Sequence, residues 1–156
     1  MGEVTHEQAN LLLKLYDMRR EPELREARNW YAMNFHPASV EELQKRVPMG
    51  SKQNAYMRMV ISYWDMVASI VNRGLIEEDF FFENSGEQWM VWERLKPIIS
   101  AWRAMYRNPH QFQNLEKHVE KFEAWREKRA PGMAEAMRQM MSRRPQPVPK
   151  AAGKRR

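Results

Sequence analysis

The chain contains no cysteine. Disulfides, thiolate nucleophiles, iron–sulfur clusters and cysteine-ligated zinc are thereby excluded, and a reducing cytoplasm is the expected compartment. Glycine is scarce, with six scattered residues, and they form neither a P-loop nor a GxGxxG turn to cradle phosphate. GxSxG and HExxH are also missing, so no local motif supports a nucleophile elbow or a zinc hydrolase. Long hydrophobic runs are lacking too. No segment reaches roughly 18 uninterrupted apolar residues, and the opening MGEVTHEQANLLLKLYDMRR has neither the basic n-region nor the cleavage site of a signal peptide. A soluble protein without a transmembrane segment is expected.

Charge is present in quantity but unevenly placed. Lys and Arg total 26 against 20 Asp and Glu, a formal +6. Arg143, Arg144, Lys150, Lys154, Arg155 and Arg156 stand in a stretch without an acid, so residues 1–142 balance to zero. A basic excess ordinarily invites a nucleic-acid reading. Here it describes a terminal stretch, RRPQPVPKAAGKRR, whose prolines, small residues and cations cannot bury enough apolar surface to order themselves. The expected organisation is one helical domain over 1–142, in which 132–142 is a Met-rich amphipathic helix, followed by a disordered basic tail over 143–156.

The helical periods are clear. Thr5 with Gln8 has capping-box spacing, and Leu11, Leu12, Leu15 and Met18 follow at helical steps, predicting a helix over 6–20. Pro22 suits the first turn of a second helix running to about Phe35, and His36-Pro37 ends it. Ser39 with Glu42 opens a short helix over 40–46. Between Ala55 and Val71 the polar residues Arg58, Ser62, Asp65 and Ser69 form one narrow stripe, so that helix is mostly buried, and Arg73-Gly74 supplies its cap. Ile76 to Glu83 reads as a brief acidic-aromatic connection. Trp92, Leu95, Ile99, Trp102 and Tyr106 define a core face over 87–106, which Pro97 should bend or split. Phe112, Leu115, Val119, Phe122 and Trp125 give another helix over 110–128. The fold class is all-α, an irregular bundle of about five to seven helices.

SYWDMVASIVNRGLIEEDFF from Ser62 to Phe81, GEQWMVWERLKPIISAWR from Gly86 to Arg103 and NPHQFQNLEKHVEKF from Asn108 to Phe122 carry a resemblance. In their pattern of helix, cap and aromatic positions they resemble a bacterial domain-of-unknown-function family, number 4760. The resemblance implies a helical protein and no particular activity. Some members look membrane-anchored through hydrophobic N-terminal helices, from which this chain departs.

Few residues suggest chemistry. Di-metal bundles use paired Glu-x-x-His motifs, and only Glu3 with His6 has that spacing. His110 and His118, eight apart, are outside the four-residue spacing that would place them side by side on one helix face and are expected to be partly exposed; His36 is expected to cap helix-end carbonyls. Asp65 is expected to form an ion pair with an arginine such as Arg94 or Arg103. Of the six tryptophans, Trp89 lies off the Trp92–Trp102 line and is the one expected outside the core. No catalytic, cofactor-binding or metal-binding residues are assigned, and no cofactor is expected.

Two functions from different classes remain. A cytoplasmic, non-catalytic interaction or accessory protein would present Met133, Met137, Met140 and Met141 to a protein partner or to a second copy of itself, methionine surfaces being adaptable. Alternatively, Arg143, Arg144, Lys150, Lys154, Arg155 and Arg156 would bind nucleic acid or an anionic membrane surface weakly and without sequence preference.

Overall fold

A computed structural model describes residues 2–142. Among them are eight α-helices and no strand: α1 His6–Arg19, α2 Pro22–Asn34, α3 Val40–Arg46, α4 Lys52–Asn72, α5 Glu78–Asn84, α6 Glu87–Met105, α7 Gln113–Arg129 and α8 Met133–Ser142. The all-α expectation holds, with eight helices rather than five to seven. The additional one is α5. The Glu77 carboxylate accepts from the Phe80 N–H at 2.7 Å, and Glu78 and Asp79 favour the positive end of the new helix. A short helix capped in this way swings Phe81 and Phe82 into the core.

Local chemistry sets the other ends. Thr5 and Ser39 cap α1 and α3 through their hydroxyls, as their spacing predicts. Ser51 caps Asn54, which starts α4 three residues before Ala55. At its far end Gly74, with φ +74°, donates to Val71, and Leu75 donates to Ile70. This paired closure needs a left-handed residue, which glycine supplies without a Cβ clash. The same closure ends α6 with Arg107 in the left-handed position. Phe112 is also left-handed, so the chain turns through 108–112 and α7 begins at Gln113, not His110.

The described residues form two compact units, one through Phe122 and one from Glu123, with the boundary inside α7. In the first, α4 and α6 supply the centre. α4 packs chiefly on α2 and also meets α5 and α6, while α6 meets α2, α3 and α4. The large side chains Tyr31, Phe35, Ile61, Ile76, Trp89, Leu95, Ile98 and Leu115 are fully buried. Each such aliphatic or aromatic burial contributes roughly 1.5–3 kcal/mol. Pro97 lies inside α6 without interrupting it; the buried residues on both sides, Trp92, Leu95, Ile98 and Trp102, hold the helix together despite the lost hydrogen bond. Trp89 is 0% exposed, against expectation. α6 is covered by three helices, so its buried surface is much wider than the single Trp92–Trp102 stripe.

Candidate functional site

The Met-rich segment forms α8 as predicted, in the second unit. Gly132, with φ +81°, turns the chain after α7, and its N–H donates to the Glu127 carboxylate. Two contacts fold α8 back along the end of α7. Arg138 pairs with Glu123 at 2.7 Å, and the Arg126 guanidinium meets the Met137 sulfur at 3.3 Å. Ala134 is the buried residue of α8. Met133 and Met140 are 43% and 62% exposed, and Met137 and Met141 are half-buried. The four methionines therefore divide into an inner and an outer pair. Arg143, Arg144, Lys150, Lys154, Arg155 and Arg156 lie outside the described residues.

In the first unit the most concentrated polar chemistry surrounds Glu87, which the sequence does not single out. Arg28 on α2 grips its carboxylate with two N–H donors, at 2.8 and 2.5 Å. Arg19 on α1 approaches at 3.6 Å, and the Trp64 indole N–H donates at 3.3 Å. Arg28 also donates to the Arg19 carbonyl, and the Tyr63 hydroxyl donates to the Leu15 carbonyl at 2.6 Å. Glu87 raises the Arg28 pKa through their hydrogen bond, against the effect of burial. Burial pushes the Tyr63 phenol up to about 12, so it remains a donor. This arrangement ties α1, α2, α4 and α6 together. The adjoining cleft, lined by Leu12, Tyr16, Tyr63 and Trp64 among others, holds about 30 Å³, room for little more than a water. It is a clamp between helices.

Asp65 makes no ion pair with Arg94 or Arg103. Its Oδ1 accepts from the Leu115 N–H at 2.9 Å and its Oδ2 from the Asn114 amide at 3.4 Å. The stripe that carries it faces the start of α7, so α4 caps α7 across the tertiary structure. Arg103 instead pairs with Glu116 at 2.7 Å. Arg94 donates to the Phe35 carbonyl at the end of α2 and contacts His36. Asp65→Ala is expected to lose about 1 kcal/mol of stability, the ordinary cost of a removed cap. Asp65→Asn should lose less than half of that, because an amide oxygen still accepts from Leu115. Urea denaturation of both variants measures the difference; equal losses would mean that the charge, not the cap, matters.

His110 is exposed and contacts Gln113, but His118, expected to be partly exposed, is 0% exposed. Phe81 and Phe82 pack steeply against its ring, each with centroids at 5.3 Å. Neither ring nitrogen has a hydrogen-bond partner. Burial, and secondarily Lys121, lowers its pKa to about 4, so the imidazole is neutral at physiological pH. Helical position alone did not reveal this, because it is α5, the unexpected helix, that covers the ring. Among the described residues no three His, Asp or Glu side chains are grouped to hold a metal, and no helix is long and apolar enough to cross a membrane.

The model of a family described as "Domain of unknown function (DUF4760)" matches residues 4–122. The chain belongs to this family. The match includes all three segments that carry the resemblance and reaches back to the start of α1. No curated protein and no solved structure matches the chain. The DUF4760 domain thus contains the Glu87 clamp, the Asp65 cap and His118. It ends at Phe122, where the first compact unit ends, so α8 and its methionines lie beyond it.

Proposed function

We propose that the protein is a non-catalytic cytoplasmic interaction module, in which the DUF4760 domain is a scaffold and α8 docks an acidic amphipathic helix of a partner protein. The observation that carries this reading is the exposure of Met133 and Met140 on a short helix outside the family domain. Unbranched, polarisable side chains adapt to an apolar partner face, and helices are commonly bound through such surfaces. Charge favours an acidic partner. After Phe122 the sequence has ten cations and three acids, while residues 1–122 have sixteen cations and seventeen acids. A second copy would bring the same basic segment, and like charge opposes pairing through it.

Met133→Ser with Met140→Ser removes apolar surface that is already exposed, so folding should be unaffected. A partner retained by the wild-type protein should bind the double variant at least tenfold more weakly, and more weakly still as salt rises. A captured protein that binds both forms equally would exclude α8 as the docking helix.

The acid-free run of cations supports a second reading: weak, sequence-independent binding of nucleic acid or an anionic surface by the tail. Log affinity for duplex DNA would then fall by about 0.9 per phosphate contact for each log unit of salt. A chain ending at Ser142 that binds DNA as well as the full chain would remove this reading.

A further inference from the structure

His118 lies on α7 inside the DUF4760 domain, and α5 covers its ring. The residue is fully buried, and neither ring nitrogen has a hydrogen-bond partner. Phe81 and Phe82 of α5 pack against it. The charged side chains on the surrounding elements are engaged elsewhere. Lys121, about one turn further along α7, pairs with Glu78 of α5. Glu116 of α7 pairs with Arg103 of α6, and Asp65 of α4 accepts from the Leu115 N–H and the Asn114 amide. On α5 itself Asp79 is half-buried and Glu83 exposed. None of these groups bonds to the imidazole.

A ring in this setting resists protonation in place, because an imidazolium carries a charge and two N–H donors, and no acceptor is there to receive them. Uptake of a proton therefore requires the ring to be uncovered. Of the elements around it, α5 is the easiest to move. Its seven residues are too few to hold a helix in water by themselves, so it persists through the Glu77 cap and the burial of Phe81 and Phe82. In the rest of the segment over 75–85, Ile76 is the buried apolar residue, whereas α4 buries nine residues along its length. Segments with little buried apolar surface open at lower free energy than the fold as a whole. Both joints permit such movement. Gly74, with φ +74°, closes α4 before the segment begins, and α6 starts after Gly86 without a side-chain cap, so residues 75–85 can swing out with α4 and α6 still wound.

We infer that residues 75–85 form an acid-released latch: protonation of His118 and release of α5 from α7 are one event, which bares Phe81, Phe82 and the α7 surface beneath them while α4 and α6 stay folded. The latch is independent of the α8 docking reading, since it lies wholly within the family domain. Its direction follows from linkage. The imidazole has its ordinary value of 6.5 when uncovered and about 4 when covered, so the open form takes up the proton first as pH falls. The closed form is fully favoured above about pH 6.5, and the opening equilibrium rises about seventyfold between pH 7.5 and 4.5.

Native-state hydrogen exchange of the full chain in low urea tests it, with the Phe81 and Phe82 amides reporting on α5 and those of Ile61 and Val67 on α4. Corrected for intrinsic exchange, the α5 amides should open more often than those of α4 at pH 7.5, and with a much smaller urea dependence. At pH 4.5 their opening constant should be about seventyfold higher, with the urea dependence still small. In His118→Leu, which has no ring to protonate, the rise should shrink to less than about tenfold. His118→Met gives the same comparison if the leucine variant does not fold. Three results would overturn the latch: α5 amides that open only with the free energy and urea dependence of Ile61 and Val67, a wild-type opening constant that acid leaves unchanged, or an equal rise in the folded His118 variant.

Discussion

Acidification is expected to remove about 3 kcal/mol of stability through His118 alone. The imidazole has an ordinary pKa of 6.5 in the unfolded chain and about 4 in the fold. Because the folded value is the lower, the unfolded state takes up its proton first as pH falls. The stability associated with a neutral His118 is complete above about pH 6.5 and declines progressively until about pH 4, below which both states are protonated. The physical origin is the apolar setting: Phe81 and Phe82 pack against the ring, no acceptor receives an imidazolium proton, and Lys121, paired with Glu78, is the nearby charge. His118→Leu retains apolar volume and removes both unpartnered nitrogens. It should be at least as stable as the wild type at neutral pH. Between pH 7.5 and 4.0, urea denaturation should show the wild type losing about 3 kcal/mol more than this variant. Parallel pH profiles would mean that His118 is not buried as a neutral ring.

Glu87→Ala is expected to be the most damaging single change among the polar residues, at about 2–3 kcal/mol. Removing one member of a fully buried ion pair costs ~3–5 kcal/mol because the remaining charge is left without compensation. The side chains of Arg28 and Glu87 are 20% and 18% exposed, so water offsets part of that cost. The loss reaches beyond one pair, since Arg28, Arg19 and the Trp64 indole N–H all lose the same acceptor. Replacing Arg28 and Glu87 together by leucine should restore part of the stability lost in either single variant, because Arg28 then leaves no unpaired charge, while Arg19 and the Trp64 indole N–H still lack their acceptor. A double-mutant cycle measured by urea unfolding gives the coupling. Additive losses would show that Arg28 and Glu87 do not act as a unit.

Local features were legible in the sequence because their causes are local. The Thr5 and Ser39 hydroxyl caps, the Gly74 closure and the Met-rich helix each depend on residues within about one turn of each other. The buried character of α4 followed from its single polar stripe. What escaped depends on pairing across long separations. Glu87 joins residues of α1, α2 and α4, and no spacing rule connects position 87 with 28 or 19. Asp65 was correctly singled out as a carboxylate needing a partner, but an N-terminal turn of another helix competes with arginine for that role, and periodicity cannot choose between them. The fates of His118 and Trp89 turned on how many helices cover α7 and α6. The seven-residue α5 depends on the Glu77 cap and on burial of Phe81 and Phe82, so reading its segment as a connection also left His118 uncovered.

The methionines themselves provide the test of the docking proposal. Thirteen are distributed along the chain, and carbon-13 methyl labelling makes each a local probe. Exposed Met33 and Met66 in the DUF4760 domain serve as internal controls for Met133 and Met140 beyond it. On titration with an acidic amphipathic helix from a captured partner, the largest methyl shifts should fall at Met133 and Met140, smaller ones at Met137 and Met141, with Met33 and Met66 unmoved. Shifts centred on Met33 or Met66, with Met133 and Met140 unchanged at saturation, would contradict a docking role for α8.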